Sequence, residues 1–361
     1  MVKLWASRSV GIRRGICLLV VCFLALASGD TQVAVAPTSK APSSNDGGKG
    51  TSEHLSFVRE FSSAQDVKRA HPVLDRTLDI IAGPKQDGRA LDILEIPYAV
   101  TTDSLHRVFV TDLSAKAVHV FDFVQGKYFR LEGSGDLLRR PVGVATDRED
   151  NVYVTDSSSG AILVFDSKGK FRRYLKESKG RESYFEAPLG LAVDAATDHI
   201  YVCDPPRHMV IVLDKKGHVL GRFGKRGGGT EPGEFRYPTQ LVVAGDELVV
   251  LDSGNHRVQI LDVRGHFRRE IKVGYSDDRT GLAVDRDRNI YVTDAMLSHF
   301  QVFNHDSQLL YEFGRRGKKA GEFNGASGMW IDSGHCLYVV DTQNKRVQAF
   351  QIDGEGTNGC Q

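Results

Sequence analysis

The chain has too few cysteines for a disulfide framework. Five occur in 361 residues, and beyond the apolar N-terminal stretch only Cys203, Cys336 and Cys360 remain, an odd count that excludes a fully paired scaffold. No CxxC, CxxCH or Cys/His cluster is present, so zinc ribbons, RING-type modules and covalent haem attachment find no support. An excess of one charge is also missing. With 47 Lys plus Arg against 46 Asp plus Glu, the molecule as a whole is not a generic polyanion binder, and only local charge can direct partners.

Long apolar runs are absent as well. The N-terminal run, 16–27, has 12 residues, whereas a membrane-spanning helix needs about 20. It follows Lys3, Arg8, Arg13 and Arg14 and precedes the small residues Ala27-Ser28-Gly29, the order of a secretory signal. Residues 1–29 therefore read as a signal peptide, and the protein is expected to be exported to a periplasmic or extracellular space. Arg13-Arg14 fits a twin-arginine signal poorly because Gly15-Ile16-Cys17 follows it, and Val21 is bulky for a lipid-modified Cys22. Membrane attachment is expected only through an uncleaved signal or a lipid anchor. Residues 30–76, rich in Ser, Gly, Pro, Lys and Thr, read as a flexible linker, within which Leu55, Val58 and Phe61 allow a short helix over 54–69.

What the sequence does hold is a phrase repeated six times, each copy closing an apolar strand on an aspartate: Asp112, Asp156, Asp204, Asp252, Asp294 and Asp341. Their spacings of 44, 48, 48, 42 and 47 residues indicate stacked supersecondary units. In one copy, Pro141-Val142-Gly143-Val144-Ala145-Thr146, Val152-Tyr153-Val154-Thr155-Asp156 and Ala161-Ile162-Leu163-Val164-Phe165 are three β-rich strands, and a Gly turn leads to a fourth, 171–175. Each repeat is thus a four-stranded antiparallel sheet with two apolar faces. Six such sheets bury those faces around an axis, giving an all-β, six-bladed propeller over 77–352, with a tail at 353–361. The last copy is followed by too few residues for a fourth strand, and an orphan strand at about 77–82 precedes the first, so the N-terminal strand 77–82 is expected to close the final blade and remove an exposed edge.

Asp252-Ser253-Gly254-Asn255-His256-Arg257-Val258-Gln259-Ile260 and Asp341-Thr342-Gln343-Asn344-Lys345-Arg346-Val347-Gln348-Ala349-Phe350 resemble the NHL repeat. So do the loops Phe223-Gly224-Lys225-Arg226-Gly227 through Gly233-Glu234-Phe235 and Phe313-Gly314-Arg315-Arg316-Gly317 through Gly321-Glu322-Phe323. The whole looks most like bacterial exported NHL-repeat proteins. Some proteins that resemble this fold are enzymes. A peptidyl-hydroxyglycine lyase holds zinc with histidines just after the Pro opening a repeat, but here those places are Tyr98, Val142, Leu189, Thr239, Thr280 and Ser327. Lactonase-like propellers hold a divalent metal with carboxylates and amides at the channel mouth. The inner-strand starts here offer Tyr98, Thr239, Gln240, Thr280 and Ser327 as channel-mouth candidates, without Asp or Glu. No cofactor, metal or catalytic residue is expected.

The six aspartates read as structural, since a residue ending the same strand in each blade recurs at separated places around the ring and can accept hydrogen bonds from the following turn. His106, His119, His208, His256, His299 and His335 fall singly in different loops or strands, which favours dispersed surface or packing roles over ligation. Cys203 reads as a buried strand residue, and Cys336 and Cys360 remain a candidate disulfide pair, because strand pairing would bring the tail back to the start of the last blade's second strand. Charge is more telling. Loops between second and third strands share one face with those joining blades, and they carry Lys116, Arg139, Arg140, Arg207, Lys225, Arg226, Arg257, Arg279, Arg315, Arg316, Lys318, Lys319, Lys345 and Arg346, of which Arg257 and Arg346 read equally as repeat residues paired with neighbouring aspartates. Hairpins on the other face carry Asp147, Glu149, Asp150, Asp194, Asp198, Asp246, Glu247, Asp285 and Asp287. The expected function is an exported, non-catalytic binding scaffold whose basic face docks an acidic protein surface or an envelope polyanion. The alternative is a hydrolase- or lyase-type enzyme with a pocket at the channel mouth around Gln240 and Thr280. RNA binding, as in cytosolic NHL proteins that look similar, is a third reading that the export signal opposes.

Overall fold

Valine, isoleucine and aromatic residues concentrate in segments of three to seven residues bounded by Asp and Gly turns, which favours short antiparallel strands over helices. A computed structural model describes residues 54–69, 92–133, 136–175, 185–274, 280–294, 296–352 and 360, and in it these segments form six four-stranded sheets. The first blade runs Pro97–Thr102, Val108–Asp112, Ala117–Asp122 and Lys127–Arg130. Blades two to five begin at Pro141–Thr146, Leu191–Val193, Pro238–Ala244 and Leu282–Val284, and the sixth at Ala326–Ile331. Burial follows position in the blade. The second strands Val108–Asp112, Val152–Asp156, Ile200–Asp204, Glu247–Asp252 and Cys336–Asp341 are buried along their whole length, because both faces of each sheet pack against neighbouring blades. The outermost strands Phe171–Leu175 and Leu309–Phe313 alternate or lie open to solvent.

Register sets the two faces of the ring. Asp112 lies opposite both Pro97 and Ala117, and the same pairing recurs as Pro141↔Asp156↔Ala161 and Ala326↔Asp341↔Arg346. Loops entering each blade and turns between second and third strands therefore share one face, called here the upper face; the two hairpins of each blade lie on the lower face. At the seams, where the innermost strands of four blades open, stand Gly143, Gly190, Gly281 and Gly328. A Cβ on Gly281 would sit 2.0 Å from the Ser327 carbonyl oxygen, so these seams close backbone against backbone.

The ring is closed by an N-terminal strand, but not by the one expected. Leu55–Phe61 pairs antiparallel with Arg346–Ile352, from Leu55↔Ile352 to Phe61↔Val347, as the outer strand of the sixth blade. Residues 77–82 lie outside the described residues. The stretch read as linker with a short helix over 54–69 is instead this strand followed by one helix, Ala64–Arg69. Leu55 and Phe61 satisfy both a helical and, around the bulge between Phe57 and Arg59, an extended spacing. The unpaired edge of Arg346–Ile352 decides for the strand, because its backbone groups need partners. Asp66 caps the helix, accepting hydrogen bonds from the Ser62 and Ser63 amides at 2.8 Å each, and Val67 is buried against the seam between the sixth and first blades. Phe61 joins the same core beside Phe121 and Phe123. Cys336 and Cys360 are joined by a disulfide, and the Cys360 amide donates to Gln351 Oε1 at 3.1 Å. Among the described residues no helix is long and apolar enough to cross a membrane, and the leader 1–29 lies outside them.

Candidate functional site

The upper face is organised by the repeat aspartates. Asp112 accepts hydrogen bonds from the Glu95 amide at 2.6 Å and the Ala115 amide at 2.9 Å, tying the loop that enters the blade to the turn that leaves its second strand. Asp156 does the same with Arg140 at 2.9 Å and Ser159 at 2.9 Å, and Asp252 and Asp341 hold the amides of Arg236 at 2.6 Å and Asn324 at 2.7 Å. Five of the six carboxylates are fully buried. Asp204 is one of them, and burial raises its pKa although the Glu186 and Ala187 amides oppose the shift. Asp294 is half-buried and holds the Leu297 amide at 2.9 Å.

Two of the expected basic-face cations are not available to a partner. Arg257 is buried. Its Nε meets Asp252 at 2.9 Å, Nη1 meets Glu270 at 2.8 Å and the Thr230 carbonyl at 2.9 Å, and Nη2 reaches the Glu234 carbonyl at 2.9 Å. Arg346 repeats the arrangement with Asp341 at 2.8 Å, Glu60, and the Lys319 and Glu322 carbonyls at 3.0 and 2.9 Å. Each guanidinium spends its planar fork on folding a long loop back onto the ring, which is a structural use. Gln259 and Gln348 help by donating to the Glu234 and Glu322 carbonyls. His119 stands at the equivalent place in the first blade, fully buried, its Nδ1 2.8 Å from the Tyr128 hydroxyl and its pKa lowered by burial to about 4.

Of the remaining candidates, Lys225 pairs with Glu234 at 3.0 Å, Arg315 with Glu322 at 2.9 Å and Arg207 with Asp204 at 3.5 Å. The Lys225 ammonium, hydrogen-bonded to Glu234, holds that carboxyl below its ordinary value. Arg139, Arg140, Arg226, Arg316, Lys318, Lys319 and Lys345 are exposed on the upper face and make no ion pair among the described residues. Arg236, also exposed, belongs with them; it precedes Pro238 by the same two-residue step as Arg139 precedes Pro141, a spacing that could have flagged it. Arg279 lies outside the described residues.

The acidic hairpins of the lower face are partly neutralised, while Asp150, Asp194, Asp285 and Asp287 make no ion pair among the described residues. Lys215 reaches Asp147 at 3.5 Å, Glu149 at 3.5 Å and Asp198 at 3.1 Å, while Arg268 and Arg288 pair with Asp246 at 2.8 and 3.0 Å and Arg269 with Glu247 at 2.7 Å. Most of these cations come from the outer hairpins, which the ring brings over the inner ones. The asymmetry between faces therefore rests on the exposed upper cations and on the lower-face carboxylates left without an ion pair.

The central channel encloses a cavity of about 300 Å³ lined by Val100, Val144, Leu191, Leu241, Leu282 and Met329, with Val243, Val284 and Ile331 further along. Of the five channel-mouth candidates only Gln240 lines it. Tyr98, Thr239, Thr280 and Ser327 are buried in the seams: Thr239 Oγ1 lies 2.5 Å from Ser253 Oγ, and Ser327 donates to the Tyr98 carbonyl at 3.0 Å. Register shifts between Pro97 and Val100, Pro141 and Val144, Pro238 and Gln240, and Ala326 and Met329 break the simple alternation where these strands open, so the side chains there are not placed by counting along the strand. Gln240 occupies the place that glycine holds in four blades. At the lower mouth lie Asp285, Arg286, Asp332 and Ser333, and burial raises the Asp332 carboxyl. Among the described residues no group of three or more His, Cys, Asp or Glu is placed to hold a metal ion.

Two segments, 138–165 and 235–261, match the NHL repeat. No curated protein sequence matches the chain. Solved structures share the fold at low identity. A gluconolactonase from Xanthomonas campestris is 17% identical with a TM-score of 0.56, over 72% of this chain and 86% of that one. An auxiliary nutrient binding protein from Bacteroides thetaiotaomicron is 9% identical with a TM-score of 0.55, over 72% and 70%. A streptogramin B lyase is 11% identical with a TM-score of 0.52, over 71% and 93%.

Proposed function

We propose that this NHL-repeat six-bladed propeller is an exported, non-catalytic binding module whose upper face docks an acidic protein surface or an envelope polyanion. The observation that carries the reading is the set of exposed upper-face cations, Arg139, Arg140, Arg226, Arg236, Arg316, Lys318, Lys319 and Lys345, that have no carboxylate partner among the described residues. Side chains of one sign left unneutralised on a rigid rim attract a partner of the opposite sign, and salt weakens the attraction over a Debye length of about 8 Å at physiological strength. The test is retention of the full chain on immobilised heparin. Arg226→Glu, Arg316→Glu, Lys318→Glu and Lys319→Glu together should elute at markedly lower salt than wild type. Elution at the same salt sinks the proposal.

A second reading, a small-molecule site in the channel, is favoured by the apolar cavity with Gln240 as its polar side chain at one end and Asp332 and Arg286 at the other. The similar structures include a lyase and a gluconolactonase as well as a nutrient-binding protein. Turnover of lactone or lyase substrates that is lost in Gln240→Ala would favour it over the binding module.

A further inference from the structure

In five blades the turn between second and third strands carries mainly polar or small residues, as in Ser157-Ser158-Ser159-Gly160, Ser253-Gly254-Asn255-His256 and Thr342-Gln343-Asn344-Lys345. The fifth blade breaks the pattern. Its turn presents Met296 and Leu297 with relative exposures of 67% and 62%, the highest among the large apolar side chains of the described residues. Nothing in the turn requires them: the Leu297 amide is held by Asp294 at 2.9 Å, a bond any residue could make there, and the side chains cover no core.

This turn lies at the root of a loop rich in cations. The register Phe300↔Phe313 sets the end of the fifth blade's outer strand against the start of its third, and a Cβ on Gly314 would lie 3.3 Å from His299 Cα. The loop carrying Arg315, Arg316, Lys318 and Lys319 thus leaves from the foot of the Met296-Leu297 turn. On its far side, Asn344 Nδ2 donates to the Gly317 carbonyl at 2.8 Å, which brings Lys345 of the sixth blade against the same loop. Glu322 engages Arg315 at 2.9 Å and accepts the Lys318 and Lys319 amides at 3.1 Å each; Arg316, Lys318, Lys319 and Lys345 keep their charge toward solvent. An apolar tip on the same face as four exposed cations that make no ion pair among the described residues matches the boundary of an anionic bilayer, where headgroups meet the cations and the tip enters the acyl region. An acidic protein surface would satisfy the cations but would give the two apolar side chains no comparable place.

We infer that the rim formed by the fifth and sixth blades docks on an anionic lipid bilayer, with Met296 and Leu297 inserted and Arg316, Lys318, Lys319 and Lys345 on the headgroups. This rests on the basic-face reading above and specifies its partner. It also adds to the membrane contacts expected from a leader or lipid anchor a contact made by the propeller itself.

The test is flotation of the full chain with vesicles of phosphatidylcholine alone and of phosphatidylcholine with phosphatidylglycerol, comparing wild type with Met296→Asp/Leu297→Asp and with Arg316→Glu/Lys318→Glu/Lys319→Glu. Any contribution of the apolar leader is common to all three chains, so the difference between them is the reading. Wild type should favour the anionic vesicles, and each multiple variant should lose affinity for them by about tenfold or more. Leu297→Trp should shift its emission to the blue on anionic vesicles and not on heparin. Unchanged thermal midpoints confirm that exposed positions were altered without unfolding. If the aspartate pair floats as wild type does, or the tryptophan emission stays put, the bilayer inference is overturned. In that case a charge-reversed chain that still elutes early from heparin leaves the basic-face function standing, whereas unchanged elution removes both. Capture of an acidic protein by a chain that ignores anionic vesicles also overturns the bilayer inference.

Discussion

Truncation of Phe61 to alanine should loosen the whole ring, although the residue lies far in sequence from the blade it completes. Its side chain is 1% exposed, with ring centroids 4.8 Å from Phe121 and 5.1 Å from Phe123, so it bridges the closing strand of the sixth blade and the third strand of the first. Removing a buried phenylalanine from such a site costs about 3–5 kcal/mol, from lost transfer energy and from the cavity left behind. At this chain size each kcal/mol lowers the melting temperature by roughly 2 °C, so Phe61→Ala should melt about 6–10 °C below wild type. Glu60 supplies the contrast. It lies in the same strand and bonds Arg346, but its side chain is 49% exposed and Asp341 still satisfies the guanidinium, so Glu60→Ala should cost less than about 1 kcal/mol. Thermal unfolding followed by circular dichroism, with the disulfide intact, measures both. A Phe61→Ala midpoint within a degree of wild type would show that Leu55–Phe61 does not hold the ring closed.

Three further outcomes follow from particular contacts. The His119 imidazole is kept neutral by burial, lowered to about 4 from an unfolded value near 6.5, so below about pH 6.5 the unfolded chain binds a proton that the folded one refuses. The stability it contributes is therefore present above that pH and falls as the pH drops toward 4, by about 3 kcal/mol; urea midpoints at pH 7.5 and 4.5 should converge in His119→Gln relative to wild type. Asp252→Ala leaves the Arg257 guanidinium buried without its main carboxylate and should cost about 3–5 kcal/mol by urea unfolding, against far less for Asp294→Ala at the half-buried equivalent place. Reduction of Cys336–Cys360, 24 residues apart, should lower stability by about 3 kcal/mol, and a Cys360→Ser chain should match the reduced protein and no longer respond to reductant.

Much of the fold was legible because a repeat announces itself locally. The aspartate rhythm, the β-branched runs and the Gly turns each describe one blade, and six copies of one blade leave little choice but a ring. The closing strand was less legible. Leu55 and Phe61 fit two periods, and only the open edge of Arg346–Ile352, some 290 residues away, selects between them. The channel candidates Thr239, Thr280 and Ser327 lie in the seams instead, because inner strands open with irregular register in several blades and alternation does not assign a face there. Arg257 and Arg346 read either as surface cations or as partners of neighbouring aspartates; they pair with Asp252 and Asp341, and loops folding back from 230–234 and 319–322 bury them.

The sequence by itself determined the blade, the number of blades, the order of strands within each and hence which loops share a face, because all of these depend on residues near one another in the chain. Tertiary structure alone decided which cations are spent on carboxylates, which remain free, which residue looks into the channel, and that an apolar turn shares a face with the free cations. Those are matters of distance between segments that the chain brings together from different blades, and no local pattern encodes them.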